Sequence, residues 1–298
     1  MALPASASSK SMGSRLCVIL LCVLVAACKP APEPVSPAFW EVQGPQGQKA
    51  WLFGTVHALD APVDWKSPVV GQALAESDLI LVEVAGLDDP QTMANTFASL
   101  ARRTDPAPLV GRIDADLRDE LTEVLAKHGL KARQFMTIDT WAVALTIARA
   151  ETADLDAKYG IDRAVLDAAN GKEVAEFEGT AGQLAIFDGL PETDQRDLLE
   201  AIVTEAAEGK SDETQLIDAW RDGDLALMEK ATEQGFLADP ELREALLTGR
   251  NRAWADRIVL ELEGSRRPFI AVGAGHMAGK AGLPALLESR GLKVRRVQ

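Results

Sequence analysis

The chain has three histidines, and two of them share a setting. His57 closes Gly54-Thr55-Val56-His57 and His276 closes Gly273-Ala274-Gly275-His276, each straight after an apolar run that reads as a strand. A small-residue turn at the C-terminal end of a strand is where open α/β sheets place their ligands, because glycine lets a backbone approach closely. Between the two motifs lies Leu79 to Val84, an apolar strand with one acid, Glu83, inside it. A carboxylate in a buried strand is costly unless it has a partner. Two imidazoles and one carboxylate at a common rim suit a divalent first-row metal with open positions for water and substrate. His128 is different: next to Gly129, it reads as a helix C-terminal residue favoured by the dipole.

For 219 residues of separation to end at one site, both strands must belong to one sheet, so the chain ends must meet. The local patterns agree. Phe39 to Val42 and Lys49 to Phe53 flank Gly44-Pro45-Gln46-Gly47 as a hairpin, and further strands are expected at Glu173–Phe177, Phe269–Val272 and Lys293–Val297. Helical spacing predicts helices over 114–128, 138–153, 162–169, 194–208, 213–221 and 225–233, a long one from Pro240 to about Glu263, and one at 281–289. Thr180 with Gln183 reads as a capping box. The expected fold is a single α/β domain over residues 39–298. Its mixed sheet is built from the N- and C-terminal parts, with a helical insert around residues 112–265.

The three cysteines, at 17, 22 and 28, all precede that domain, so it holds no disulfide, zinc ribbon or thiol nucleophile. Lys10 and Arg15 precede a 12-residue apolar run, Leu16 to Ala27, that ends in small residues before Cys28. A bilayer-spanning helix needs roughly 20 residues, so this run reads as an export signal. It resembles a bacterial lipoprotein signal covering 1–27. Cys28 is then the lipidated N-terminus, attaching the protein to the membrane through lipid, and residues 28–38, with Pro30, Pro32, Pro34 and Pro37, form an extended tether. Lys29 after the cysteine suggests, by the same resemblance, the outer membrane facing the periplasm. Without residues 1–27 the chain carries 29 basic and 45 acidic side chains, a charge that disfavours nucleic acid as a partner. No serine stands in a Gly-x-Ser-x-Gly setting and there is no His-Glu-x-x-His, which argues against those hydrolase classes. The six tryptophans are spread along the chain and read as core packing.

The hairpin running into Gly54-Thr55-Val56-His57, the strand Leu81-Val82-Glu83-Val84, Tyr159-Gly160-Ile161-Asp162-Arg163, Glu178-Gly179-Thr180-Ala181-Gly182-Gln183-Leu184, Arg250-Asn251-Arg252-Ala253-Trp254 and Val272-Gly273-Ala274-Gly275-His276 together resemble the TraB/GumN family, which includes the Tiki proteases. The resemblance implies an α/β fold of the Tiki and erythromycin-esterase-like group and, for Tiki members, metal-dependent proteolysis supported by manganese or cobalt. His57, His276 and Glu83 match its site pattern, with Gly54, Thr55, Gly273 and Gly275 in the motifs. Asp162, Glu178, Arg250 and Asn251 match further family positions. On this reading the protein is an exported metal-dependent hydrolase acting on a peptide or other carbonyl substrate, with Glu83 as third ligand or general base. Arg250 either stabilises developing negative charge or pairs with Glu178 or Asp162 to lock a helix to the sheet. The alternative is a non-catalytic binding or scaffolding module of the cell envelope, linked to polysaccharide biosynthesis by the GumN name.

Overall fold

The computed structural model describes residues 1–2, 32–209 and 212–298. Apart from Met1 and Ala2, the expected export signal and Cys28 lie outside the described residues. Strands run in chain order as β1 (Glu33–Pro34), β2 (Phe39–Gln43), β3 (Lys49–Thr55), β4 (Val63–Asp64), β5 (Leu79–Val82), β6 (Glu173–Glu176), β7 (Pro268–Gly273) and β8 (Lys293–Arg296). Six of them form one mixed sheet in the order β6-β5-β7-β3-β2-β8. The expected hairpin is present, Phe39 opposite Phe53 and Gln43 opposite Lys49. β7, from the C-terminal end of the chain, lies between β3 and β5 and is parallel to both. The ends of the chain therefore meet inside the sheet, as the two histidine motifs require.

Continuous apolar runs become central strands because such a strand is buried on both faces. Every residue of β5 is buried, as are Phe269 to Val272. Phe39, Phe53, Ile80, Val82, Phe269 and Ala271 point to one face, against α1 (Pro68–Glu76) and α5 (Ile161–Asp167). Trp40, Leu52, Leu81, Ile270 and Val272 point to the other, against α11 (Gly249–Glu263) and α12 (Leu283–Ser289). A separate helical core joins α3 (Arg118–Lys127), α4 (Thr140–Glu151) and α7 (Glu192–Glu208) through Leu121, Val143, Ile147, Leu199 and Ile202. The remaining helices are α2 (Pro90–Leu100), α6 (Gly179–Asp188), α8 (Asp212–Asp222), α9 (Leu225–Ala231) and α10 (Pro240–Arg243). The result is helices on both faces of a largely parallel sheet, an α/β domain.

Several local expectations change. β5 stops at Val82, so Glu83 stands just past the strand end rather than inside it. There its backbone carbonyl accepts the N–H groups of Glu178 and Gly179 instead of a ladder bond. The helical insert is two segments, because β6 returns to the sheet beside β5. α1 and α2 escape the spacing analysis; each begins at a proline behind a Ser or Asp cap. The long helix from Pro240 is interrupted at Glu244–Thr248 by a π-helical turn, in which Gly249 N–H reaches Glu244 O. A Cβ at Gly249 would lie 2.7 Å from that oxygen, so glycine permits the wide turn. His128 is held by Glu151, its Nε2 lying 2.6 Å from Oε1.

Residues 33–38, expected to belong to a free tether, are bound to the domain. β1 pairs with β4, Ser36 N–H donates to Arg221 O, and Pro37 O accepts from the Gln298 side chain. Proline has no N–H to contribute, yet its carbonyl and its neighbours' amides still can, and here they do.

Because β7 supplies ladder bonds to two central strands, a chain ending at Gly264 should lose cooperative thermal unfolding, read by circular dichroism. Retention of a sharp transition by that fragment would show that the N-terminal part folds alone.

Candidate functional site

β3, β5 and β7 are parallel, so their C-terminal ends form one rim, with Thr55 opposite Gly273 in register. His57 follows Thr55 by two residues and His276 follows Gly273 by three, which brings both motifs and Glu83 to that rim. Close approach explains the glycines. A Cβ on Gly54 would lie 3.1 Å from the Ala274 backbone, and one on Gly273 would lie 3.2 Å from Glu83 Oε1. Gly54 O also accepts from the indole of buried Trp220 at 2.7 Å. Gly275 faces Thr232, with 3.4 Å left for a Cβ.

Each histidine is oriented through its Nδ1. His57 Nδ1 lies 2.6 Å from Asp162 Oδ2, while the Thr55 hydroxyl donates to Asp162 Oδ1. A carboxylate oxygen accepts, so it is the Nδ1–H of His57 that points at Asp162. Asp162 is placed by the start of α5, where Ile161 N–H donates to Val56 O at 2.8 Å. Gly160 makes this possible: any Cβ there would sit 2.2 Å from His57 O. His276 Nδ1 bonds Asn251 Oδ1, and Asn251 is itself aimed by donating to Ala281 O at 2.8 Å. His276 is buried and its ring lies 4.4 Å from that of Trp254. His57, in contrast, is two-thirds exposed.

Glu83 is buried with both oxygens engaged: Oε1 accepts Gly273 N–H at 2.7 Å, and Oε2 accepts from Gln183 at 3.0 Å and Arg250 at 2.6 Å. Gln183 is thus spent on Glu83. α6 begins at Gly179 behind Glu178 with no side-chain cap, so the expected Thr180–Gln183 box does not form. Arg250 uses its whole fork. Nε and Nη2 pair with Glu178 at 2.8 Å each, Nη2 also reaches Glu83, and Nη1 reaches Leu246 O at 2.9 Å and His276 Nε2 at 3.3 Å. Five donors meet five acceptors, His276 Nε2 among them. Of the two readings of Arg250, the ion pair is the one formed, with Glu178 and Glu83 rather than Asp162. Leu246 lies in the π turn, so that irregularity presents a carbonyl to the guanidinium.

Trp254 belongs to this cluster although its spacing read as core. Its indole donates to Glu178 at 3.2 Å, and its ring stacks on Phe177 and lies under Arg250. Glu178, Arg250 and Trp254 also line a cleft of about 810 Å³ with Phe177, Ile186 and Ala253. Gln183 and Trp254 stand in two of the stretches that carry the family resemblance, but their residue types and spacing read as a helix cap and as core packing.

The electrostatics follow from this packing. Burial pushes the His276 imidazolium down to about 3, with Arg250 and His57 adding to the shift against the pull of Glu83. Burial alone would raise Glu83, but the charges of His276, Arg250 and His57 and the Gly273 N–H outweigh it and hold the carboxyl down at about 2. Since His276 is neutral above about 3, Arg250 is the buried cation that keeps Glu83 ionised at neutral pH.

The donor types suit a divalent cation. Two imidazoles are tied through Nδ1 to side-chain oxygens, as metal-bound histidines are oriented, and the carboxylate is ionised. Glu83 Oε1 keeps a second lone pair beside its one amide bond. His276 Nε2 faces Arg250 at the longest of the five guanidinium contacts. Among the described residues no group of three His, Cys, Asp or Glu side chains is assembled around a common point.

The family described as TraB/PrgY/gumN matches residues 38–296, and the chain belongs to it. No curated protein and no solved structure shows significant similarity to the chain.

The ion-pair network can be tested by substitution and by pH. Arg250→Met leaves buried Glu83 and half-buried Glu178 without their cation and should destabilise the protein by about 3–5 kcal/mol in urea unfolding; a loss below about 1 kcal/mol would mean that the pairs contribute little. Protonation of His276 and Glu83 is disfavoured in the folded state, so the unfolded chain binds more protons between pH 6.5 and about 3 and between pH 4.5 and about 2. Stability of chelator-treated protein should therefore be complete above pH 6.5 and fall as pH drops through that window. His276→Gln should flatten the upper part of the fall, and an unchanged pH profile would show that His276 is not buried neutral.

Proposed function

We propose that this TraB-family protein is an exported hydrolase of the Tiki type, cleaving a peptide or other carbonyl substrate with a divalent cation, manganese or cobalt, at the rim of the sheet. The observation that carries the reading is the pairing of His57 with Asp162 and His276 with Asn251 at the ends of two adjacent parallel strands. The cation would be held by the Nε2 atoms of the two histidines and by Glu83, with His276 Nε2 released from its contact with Arg250 Nη1. Such an ion supplies a water of lowered pKa and polarises a carbonyl.

The chain's own groups do the positioning. Asp162 fixes the tautomer and direction of His57, and Asn251 does the same for His276. Arg250 bridges Glu83 and Glu178 and keeps Glu83 ionised. With its carboxyl at about 2, Glu83 is poorly matched to general-base work near neutral pH, which favours its role as a charged ligand. The cleft beside Arg250 and Trp254 offers Phe177 and Ile186 as apolar walls for a substrate side chain. The export signal, the lipid on Cys28 and an outer-membrane position facing the periplasm are part of the same proposal. Among the described residues no helix is long and apolar enough to cross a membrane.

Metal counting by atomic spectroscopy on purified protein tests the reading. About one divalent ion per chain is expected, with a large loss in His57→Ala and in His276→Ala at unchanged folding. Metal content indifferent to both substitutions would remove the cation from this site.

A further inference from the structure

The N-terminal segment enters the domain at the rim that carries the histidines. β2 is antiparallel to β3 with Phe39 opposite Phe53, so residues before Phe39 extend toward the C-terminal end of β3 and His57. They are held there. β1 pairs with residues 63–64, six positions beyond His57, and Arg221 bridges Glu33 to Asp60. Gly223 is pressed so close that a Cβ on it would lie 2.8 Å from Ser36 O. The chain is thus fastened to the rim from Glu33 onward, and only residues 29–31 separate Cys28 from Pro32.

Covalent geometry limits the reach of those residues. Whatever conformation they take, Cys28 and Pro32 are at most about 14 Å apart. The seven residues of β3 put the two rims of the sheet roughly 20 Å apart, before the loops are added. An anchor at Cys28 therefore reaches a bilayer beside the histidine rim and falls short of one at the opposite rim, where the Gly44–Gln48 turn lies.

We propose that the rim carrying His57 and His276 faces the bilayer to which the lipid on Cys28 is attached, so that the site serves groups presented at the membrane surface. The inference rests on the lipidation included in the proposed function and deepens it by restricting the substrate to membrane-proximal chains. Charge does not create this orientation. Glu33, Asp60, Asp64, Asp218 and Asp222 surround the point of entry with Arg221 as their basic neighbour, and an anionic leaflet would repel them within a Debye length of about 8–10 Å. The short tether alone sets it, and several acyl chains on one cysteine are enough to hold it.

The test uses the full chain, processed in cells and reconstituted into phosphatidylcholine vesicles containing a headgroup-nitroxide lipid. Cys28 is the one cysteine left after the signal, so a fluorophore can be placed singly on Ala61→Cys beside the rim or on Gln46→Cys in the opposite turn, both exposed positions. Quenching should be several-fold stronger at position 61 than at 46. A 20-residue Gly-Ser insertion after Ala31 should abolish the difference. Mass spectrometry of the N-terminal peptide separates the two possible failures. A lipidated Cys28 with equal or reversed quenching overturns the orientation alone, whereas an unmodified Cys28 overturns the anchor and the orientation with it.

Discussion

The guanidinium of Arg250 is the point on which the site depends. Two carboxylates, Glu83 and Glu178, come from the ends of neighbouring strands into a region where His276 is neutral and Trp254 is buried. Buried Glu83, beside a second carboxylate, would shed its charge by taking up a proton unless a cation stood between them. Arg250 supplies that cation with a planar fork whose five hydrogens all find acceptors, which a lysine ammonium could not match. The pair links α11 to the ends of β5 and β6, so its geometry and the packing of that helix on the sheet are one constraint.

That constraint explains features that look unrelated. The π turn at Glu244–Thr248 offers Leu246 O to Arg250 and requires a glycine at 249. Asn251, the next residue, holds His276, so a single helix turn fixes both the buried cation and one imidazole. The other imidazole is fixed independently, by Asp162 on the far face of the sheet and by the absence of a Cβ at Gly160. One histidine is buried and rigid while the other is largely exposed, a division that suits a site open to solvent from one side. An arginine whose donors are all engaged acts on Glu83, Glu178 and His276 by position and charge.

Much of this was legible in the residues. Repetition of Gly-x-x-His after two apolar runs required the ends of the chain to meet, and the register of β3 with β7 is how they do so. The hairpin and the helices of the middle region arise from periodicities of two and 3.6 that burial imposes on any chain. Glu83 stood out because an acid beside Leu79-Ile80-Leu81-Val82 needs a partner, and it has three.

What composition and spacing determined, then, was the α/β class, the meeting of the termini and the residue types gathered at the rim, because hydrophobic patterning acts locally and every strand or helix must bury its apolar face. Tertiary structure alone decided the pairings. The sequence left Arg250 free to stabilise a developing negative charge or to pair with Glu178 or Asp162, and it made Thr180 and Gln183 look like a helix cap. Only the placement of α11 and α6 over the strand ends sends Gln183 and Arg250 to Glu83. Side-chain partners across 70 to 190 residues are chosen by which elements pack together, a global outcome that no local spacing encodes. The same holds for residues 33–38: their prolines read as an unstructured tether, and only β4, Arg221 and Gln298, distant in the chain, supply the groups that bind them to the rim.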